Sequence, residues 1–102
     1  MMRMISPSAL ALASACATPS PGFLSAPRQD VVVGGTRFAV FRRDNATEMI
    51  RLDSLPRTEL AAVPDRMIRA AGQATGCTPI ARSWRPVAGS NSAVASVNLR
   101  CG

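Results

Sequence analysis

The clearest alternation of apolar and polar residues lies at the C-terminal end of the chain. From Ser92 to Cys101, every second residue is apolar or small and its neighbours are mostly polar. A period of two residues is typical of a strand that buries one face. The pattern therefore predicts a strand over 92–101, with Cys101 on the buried face.

Three β-rich runs in the first half of the chain predict an antiparallel meander. Gln29–Val33 and Thr36–Arg42 are separated by Gly34-Gly35, a pair that favours a two-residue hairpin turn because such turns need positive φ. Arg43-Asp44-Asn45 is the next turn candidate, and Ala46–Leu52 is the third predicted strand.

A helical pattern follows the meander. We predict the main helix over Pro64–Thr75, since proline is tolerated in a first turn and Asp65 lies at the positive N-terminal end. Gly76 occupies the position of a left-handed C-terminal cap. The apolar stripe of this helix consists of Val63, Met67, Ile68, Ala71 and Ala74.

A run from Thr78 to Arg85 predicts a fourth strand that ends at Pro86. The element order is then β-β-β-α-β-β. The sequence therefore predicts an α+β fold, in which a small antiparallel sheet carries one main helix on one face. We assign this domain to residues 29–102.

The N-terminal segment has the organisation of an export signal. Arg3 precedes an uncharged, mostly apolar or small stretch from Ile5 to Ala15, and small residues precede Cys16. The apolar stretch is shorter than the roughly 20 residues needed to span a bilayer. We therefore predict that residues 1–15 are a signal peptide.

The residues Ala13-Ser14-Ala15-Cys16 resemble the cleavage site of bacterial lipoproteins. The resemblance is confined to this N-terminal segment, and it implies that Cys16 becomes the lipidated first residue of the mature protein. It also implies a membrane-anchored protein of the cell envelope with its domain in the periplasm. Ala17 is not the aspartate associated with inner-membrane retention in that family, so the outer membrane is favoured.

Two alternatives to lipidation remain open at this point. Ala15-Cys16-Ala17 also fits the site of ordinary signal peptidase, which would release a soluble secreted protein. The segment would otherwise be the unprocessed tail of a cytosolic protein. Residues 16–28 are rich in Pro, Ser and Gly, a composition that predicts a flexible linker behind the lipidated cysteine.

The chain has three cysteines, and either export route leaves Cys77 and Cys101 as a pair. Cys77 follows the predicted helix, and Cys101 lies on the face expected to pack against that helix. We therefore predict a Cys77–Cys101 disulfide, consistent with an oxidising compartment. A domain this small and this poor in aromatic residues is marginal without such a cross-link.

Composition argues against an enzyme. The chain has no His, the commonest general base and metal ligand, and its carboxylates are scattered. We predict no catalytic residues, no metal site and no cofactor.

The net charge of +6 comes with no Lys at all, so every cationic side chain is Arg. Arg clusters either bind anions or form a solvated surface; the candidate anion-binding residues are Arg37, Arg42, Arg43, Arg82 and Arg85.

These features predict a small envelope lipoprotein that acts as a non-catalytic binding or structural accessory. The expected partners are the membrane, through the lipid anchor, and an envelope protein or anionic headgroup. Export argues against nucleic acid as a partner. The alternative is a soluble secreted or periplasmic module that binds a peptide or protein at an exposed sheet edge.

Overall fold

An antiparallel sheet with one helix on one face forms the fold, in a computed structural model that describes residues 17–102. The predicted signal peptide and Cys16 lie outside the described residues. The elements are β1 (Arg28–Val33), β2 (Thr36–Arg43), β3 (Ala46–Arg51), α1 (Val63–Thr75), β4 (Thr78–Pro79), β5 (Arg85–Pro86) and β6 (Val94–Arg100). The strand order is β1-β2-β3-β6-β4, and β5 also pairs with β6. The predicted α+β fold is confirmed.

The meander forms because its turns contain residues that accept positive φ. Gly34 and Gly35 have φ of 59° and 80°, and they connect β1 to β2 with Val33 opposite Thr36. Asp44, with φ of 54°, lies in the turn between β2 and β3. Strand β3 then pairs with β6, which places the last long strand beside the meander.

The helix covers the sheet face that carries the largest fully buried side chains. Phe38, Met49 and Val97 come from β2, β3 and β6, and they pack in one cluster with Met67 of α1. The helix ends at Gly76, whose φ of 74° is left-handed and whose N–H donates to the carbonyl of Gly72. The predicted stripe and cap thus position α1 as expected, although Ile68 and Ala74 are only partly buried.

The predicted fourth strand is interrupted by a 3-10 turn at Ala81–Ser83, which separates β4 from β5. The Ser83 hydroxyl donates to the carbonyl of Ile80 at 2.6 Å and accepts the backbone N–H of Asn98 of β6 at 2.8 Å. This side chain therefore replaces a ladder hydrogen bond between the strands. Pro79, which has no N–H, also limits the pairing of β4.

Residues 17–26 cross the sheet face opposite the helix, and we call this segment the strap. The buried apolar residues of that face are Ala39, Phe41 and Ile50, and Ala17, Phe23 and Ala26 of the strap pack against them. The composition of residues 16–28 predicts a flexible linker, whereas the described part of it lies largely on the sheet. The apolar side chain of Phe23 accounts for this difference, because packing it against the apolar residues of the sheet removes apolar area from water.

Candidate functional site

A disulfide joins Cys77 to Cys101, as predicted. It connects the residue after the α1 cap to the residue after β6, with the two Cα atoms 4.7 Å apart. The bond lies next to Arg42, one of whose terminal nitrogens is 3.5 Å from the Cys101 sulfur. It therefore cross-links the fold at the end of the sheet where β1 begins and β2 ends.

The strap is held to the sheet by polar contacts as well as by Phe23. The backbone N–H of Ser20 donates to a carboxylate oxygen of Glu48, a residue of β3 that is only 2% exposed. Arg43 of β2 donates to the carbonyl of Gly22 at 2.9 Å. A buried carboxylate is costly without hydrogen bonds, so the Ser20 contact favours the bound position of the strap.

A groove lies between the strap, the first residues of β1, the last residues of β2 and the end of α1. Its volume is about 930 Å³. Gly22 and its neighbours in the strap form one wall, and Thr75 of α1 contributes to another. Three arginines line it: Arg28, Arg42 and Arg43.

The three arginines of the groove differ in how their charges are compensated. Arg28 forms an ion pair with Asp30 at 2.7 Å and lies 5.8 Å from the centre of the Phe41 ring. Arg42 donates through Nε to the backbone carbonyl of Asp44, and Arg43 donates to a strap carbonyl. Within residues 17–102, neither Arg42 nor Arg43 forms an ion pair with a carboxylate.

Arg37 lies at the opposite end of the sheet, where it forms an ion pair with Asp53. Its guanidinium donates to Asp53 at 2.7 and 2.9 Å, and its backbone N–H donates to the other carboxylate oxygen at 2.8 Å. The side-chain hydrogen bond, followed by the backbone one, lowers the pKa of Asp53. The side-chain hydrogen bond, followed by the charge of Asp53, raises the pKa of Arg37. Arg37 therefore fixes the chain after β3.

Arg82 and Arg85 are exposed beside Trp84 and do not line the groove. Arg85 donates to the backbone carbonyls of Arg82 and Trp84 at 3.1 and 2.9 Å. Trp84 packs partly against the helix-side core. The structure thus brings Arg42 and Arg43 together in the groove, keeps Arg82 and Arg85 side by side on a separate surface, and leaves Arg37 at the opposite end of the sheet.

Arg28 belongs to the groove and is absent from the residues predicted from sequence. The register of the predicted hairpin indicates the position of Arg28. With Val33 opposite Thr36, Arg28 falls opposite Phe41, next to Arg42. Counting back from the Gly34-Gly35 turn would therefore have placed Arg28 beside the predicted cluster.

No protein-family model matches this chain, and no curated protein or solved structure shows significant similarity to it. Among residues 17–102, no group of three or more His, Cys, Asp or Glu side chains is placed to hold a metal ion. In the same part of the chain, α1 and the 3-10 helices Pro21–Phe23, Arg57–Ala62 and Ala81–Ser83 lack the length and apolar character needed to cross a bilayer.

Proposed function

We propose that this protein is an exported envelope lipoprotein whose domain is tethered to a membrane by a lipid on Cys16. The domain acts as a non-catalytic binding or structural accessory. The observation that carries the proposal is the Cys77–Cys101 disulfide. Disulfides persist in oxidising compartments, and this one uses two of the three cysteines, so that Cys16 remains as the odd one.

The position of the strap supports the tether. Ala17 packs against the buried residues of the outer sheet face, and Cys16 immediately precedes it in sequence. A lipid on Cys16 would therefore hold that face close to the bilayer. The groove lies beside the strap at one end of the sheet, so its arginines would then lie near headgroups, where each basic residue contributes about 1 kcal/mol of attraction to an anionic membrane.

The proposed location within the envelope rests on the resemblance to bacterial lipoproteins. A domain tethered through Cys16 would lie in the periplasm, and Ala17 after the lipidated residue favours the outer membrane. Separating the two membranes by density and detecting the protein in each tests this address. Recovery in the inner-membrane fraction would contradict the outer-membrane assignment and leave the tether in place.

Metabolic labelling with a radioactive fatty acid tests the tether. Wild-type protein expressed in a bacterium should incorporate label, and Cys16→Ser should not. The matched control is the double variant Cys77→Ala/Cys101→Ala, which removes the other two sulfurs and should keep the label. An unlabelled wild type, or equal label on Cys16→Ser, removes the proposal.

Intact mass under non-reducing conditions provides an independent measurement. The proposal expects a chain that begins at Cys16, carries the mass of the acyl groups and lacks the two hydrogens of a reduced cysteine pair. A chain that still begins at Met1 would show that no export signal is cleaved.

A second candidate function is a soluble periplasmic or secreted module that binds an extended partner at a sheet edge. It is favoured by β1, which forms one edge of the sheet and exposes 57% of Val32. The charged pair Arg28–Asp30 on the same strand disfavours strand addition over its first half. A mature chain that begins at Thr18 and carries no lipid would select this candidate.

A further inference from the structure

The groove under the strap contains positive charge that the rest of the described chain does not neutralise. Within residues 17–102, the arginines that form ion pairs with carboxylates are Arg28, Arg37, Arg66 and Arg69, and this set does not include Arg42 or Arg43. Both line the groove. Asp44 lines it too, and this carboxylate offsets one of the two charges. With Arg28 compensated by Asp30, the groove has a net charge of about one positive unit.

We infer that this groove binds a phosphate diester, of the kind found in a phospholipid headgroup. A phosphate diester carries a single negative charge, which matches the charge of the groove. Guanidinium groups donate pairs of N–H bonds to phosphate oxygens and are weakly hydrated, so they bind this group better than an ammonium does. Both the net charge of the groove and the geometry of its N–H donors therefore favour a phosphate diester as the ligand.

Arg42 and Arg43 are held in place by hydrogen bonds and still have N–H donors available. A guanidinium has five N–H donors. Arg43 uses one of its terminal nitrogens on the carbonyl of Gly22, and Arg42 uses Nε on Asp44 and a terminal nitrogen near Cys101. These contacts orient the side chains before a ligand arrives, which reduces the entropy lost on binding.

The size and position of the groove fit a headgroup. A volume of about 930 Å³ lies at the upper end of the range for small-molecule sites, so a glycerol-phosphate group with its substituent fits inside it. The strap that forms one wall leads back to Cys16. A membrane lipid as the source of the phosphate rests on the proposed function, whereas the site itself does not.

Titration by NMR tests the inference on the processed protein isolated from cells in a neutral detergent. The probes are short-chain phosphatidylglycerol, its deacylated headgroup glycerophosphoglycerol, and acetate at matched ionic strength. We expect the side-chain Nε signals of Arg42 and Arg43 to shift with both phosphate diesters. Stronger binding of the acylated probe assigns the source to a lipid, and equal binding assigns it to a soluble diester.

The variants are Arg42→Gln, Arg43→Gln and, as a matched control, Arg57→Gln. Arg57 is exposed, follows β3 and lies away from the groove, so its substitution makes the same charge change elsewhere. Each groove variant should bind phosphatidylglycerol at least about tenfold more weakly, and the control should bind like the wild type. Arg42→Lys keeps the charge and loses the paired N–H donors of the guanidinium, so it should bind phosphatidylglycerol more tightly than Arg42→Gln and more weakly than the wild type.

Three results would overturn the inference. These are no shift with either diester, equal binding of acetate, and an equal loss in Arg57→Gln. Because Arg43 also holds the strap, its variant is compared with Arg42→Gln, which leaves the strap contact intact. Cys16→Ser protein that binds the diesters would separate the two proposals, since the groove would survive the loss of the tether.

Discussion

Removing the Cys77–Cys101 disulfide should cost this domain a large share of its stability. The bond closes a loop with a sequence separation of 24 residues. In the chain-entropy model, a loop of this length restricts the unfolded chain by about 3.5 kcal/mol at 25 °C. The whole free energy of unfolding for a domain of this size is about 5 to 10 kcal/mol, so the double variant Cys77→Ala/Cys101→Ala should remain folded but marginal.

The assay is urea unfolding followed by circular dichroism, together with thermal unfolding. We expect the midpoint temperature to fall by about 14 to 28 °C, since each kcal/mol corresponds to about 4 to 8 °C in a domain of this size. Wild-type protein in a reducing agent should unfold like the double variant. The reducing agent should leave the variant itself unchanged, which is the control for nonspecific effects.

Two outcomes would refute this reasoning. The first is a loss below about 1 kcal/mol in the double variant, which would mean that the closed loop is not what limits the unfolded chain. The second is a reduced wild type that keeps its full stability. Either would also weaken the argument for export, since a bond that contributes little gives no reason to require an oxidising compartment.

Three further predictions follow from particular contacts. Met67→Ala should cost about 2 to 5 kcal/mol in urea unfolding because this helix residue is fully buried, whereas Met67→Leu should cost less than about 1.5. Phe23→Ala should release the strap and speed proteolysis within it, whereas Leu24→Ala, at a residue 62% exposed, should not. The pKa of Asp53 is lowered in the folded state by Arg37, so this pair stabilises the fold above the unfolded-state pKa of about 4. That stabilisation is lost as the pH falls through the folded-state pKa, and Asp53→Asn should therefore show a flatter dependence of unfolding free energy on pH below about 5.

The parts of the fold that were predictable depend on local signals. The period of two residues before Cys101 identified β6 and its buried face, and the Gly34-Gly35 pair set the hairpin. Gly76 marked the end of α1 because glycine is strongly favoured at the left-handed position that ends a helix. Together these placed Cys77 and Cys101 close enough to predict their bond.

The parts that were missed depend on contacts between distant residues. The fourth strand was predicted as continuous because nothing in its own sequence reveals that the Ser83 hydroxyl would pair with Asn98. Arg37 was grouped with the anion-binding candidates, and its pairing with Asp53 appears only once the chain after β3 turns back. The Pro, Ser and Gly content of residues 16–28 predicts a flexible linker, whereas the packing of Phe23 depends on apolar residues of the sheet that are distant in sequence.

If the chain is anchored through Cys16 as proposed, the bound strap sets how far the domain would stand from its attachment point. A flexible stretch of the same length would span about 18 Å on average and would let an anchored domain sample a wide volume around that point. Because Ala17 already packs against the sheet, a protein anchored through Cys16 would have almost no flexible linker between the lipid and the domain. Its encounters would then be set by lateral diffusion in the plane of one membrane, and a partner would have to come to that surface.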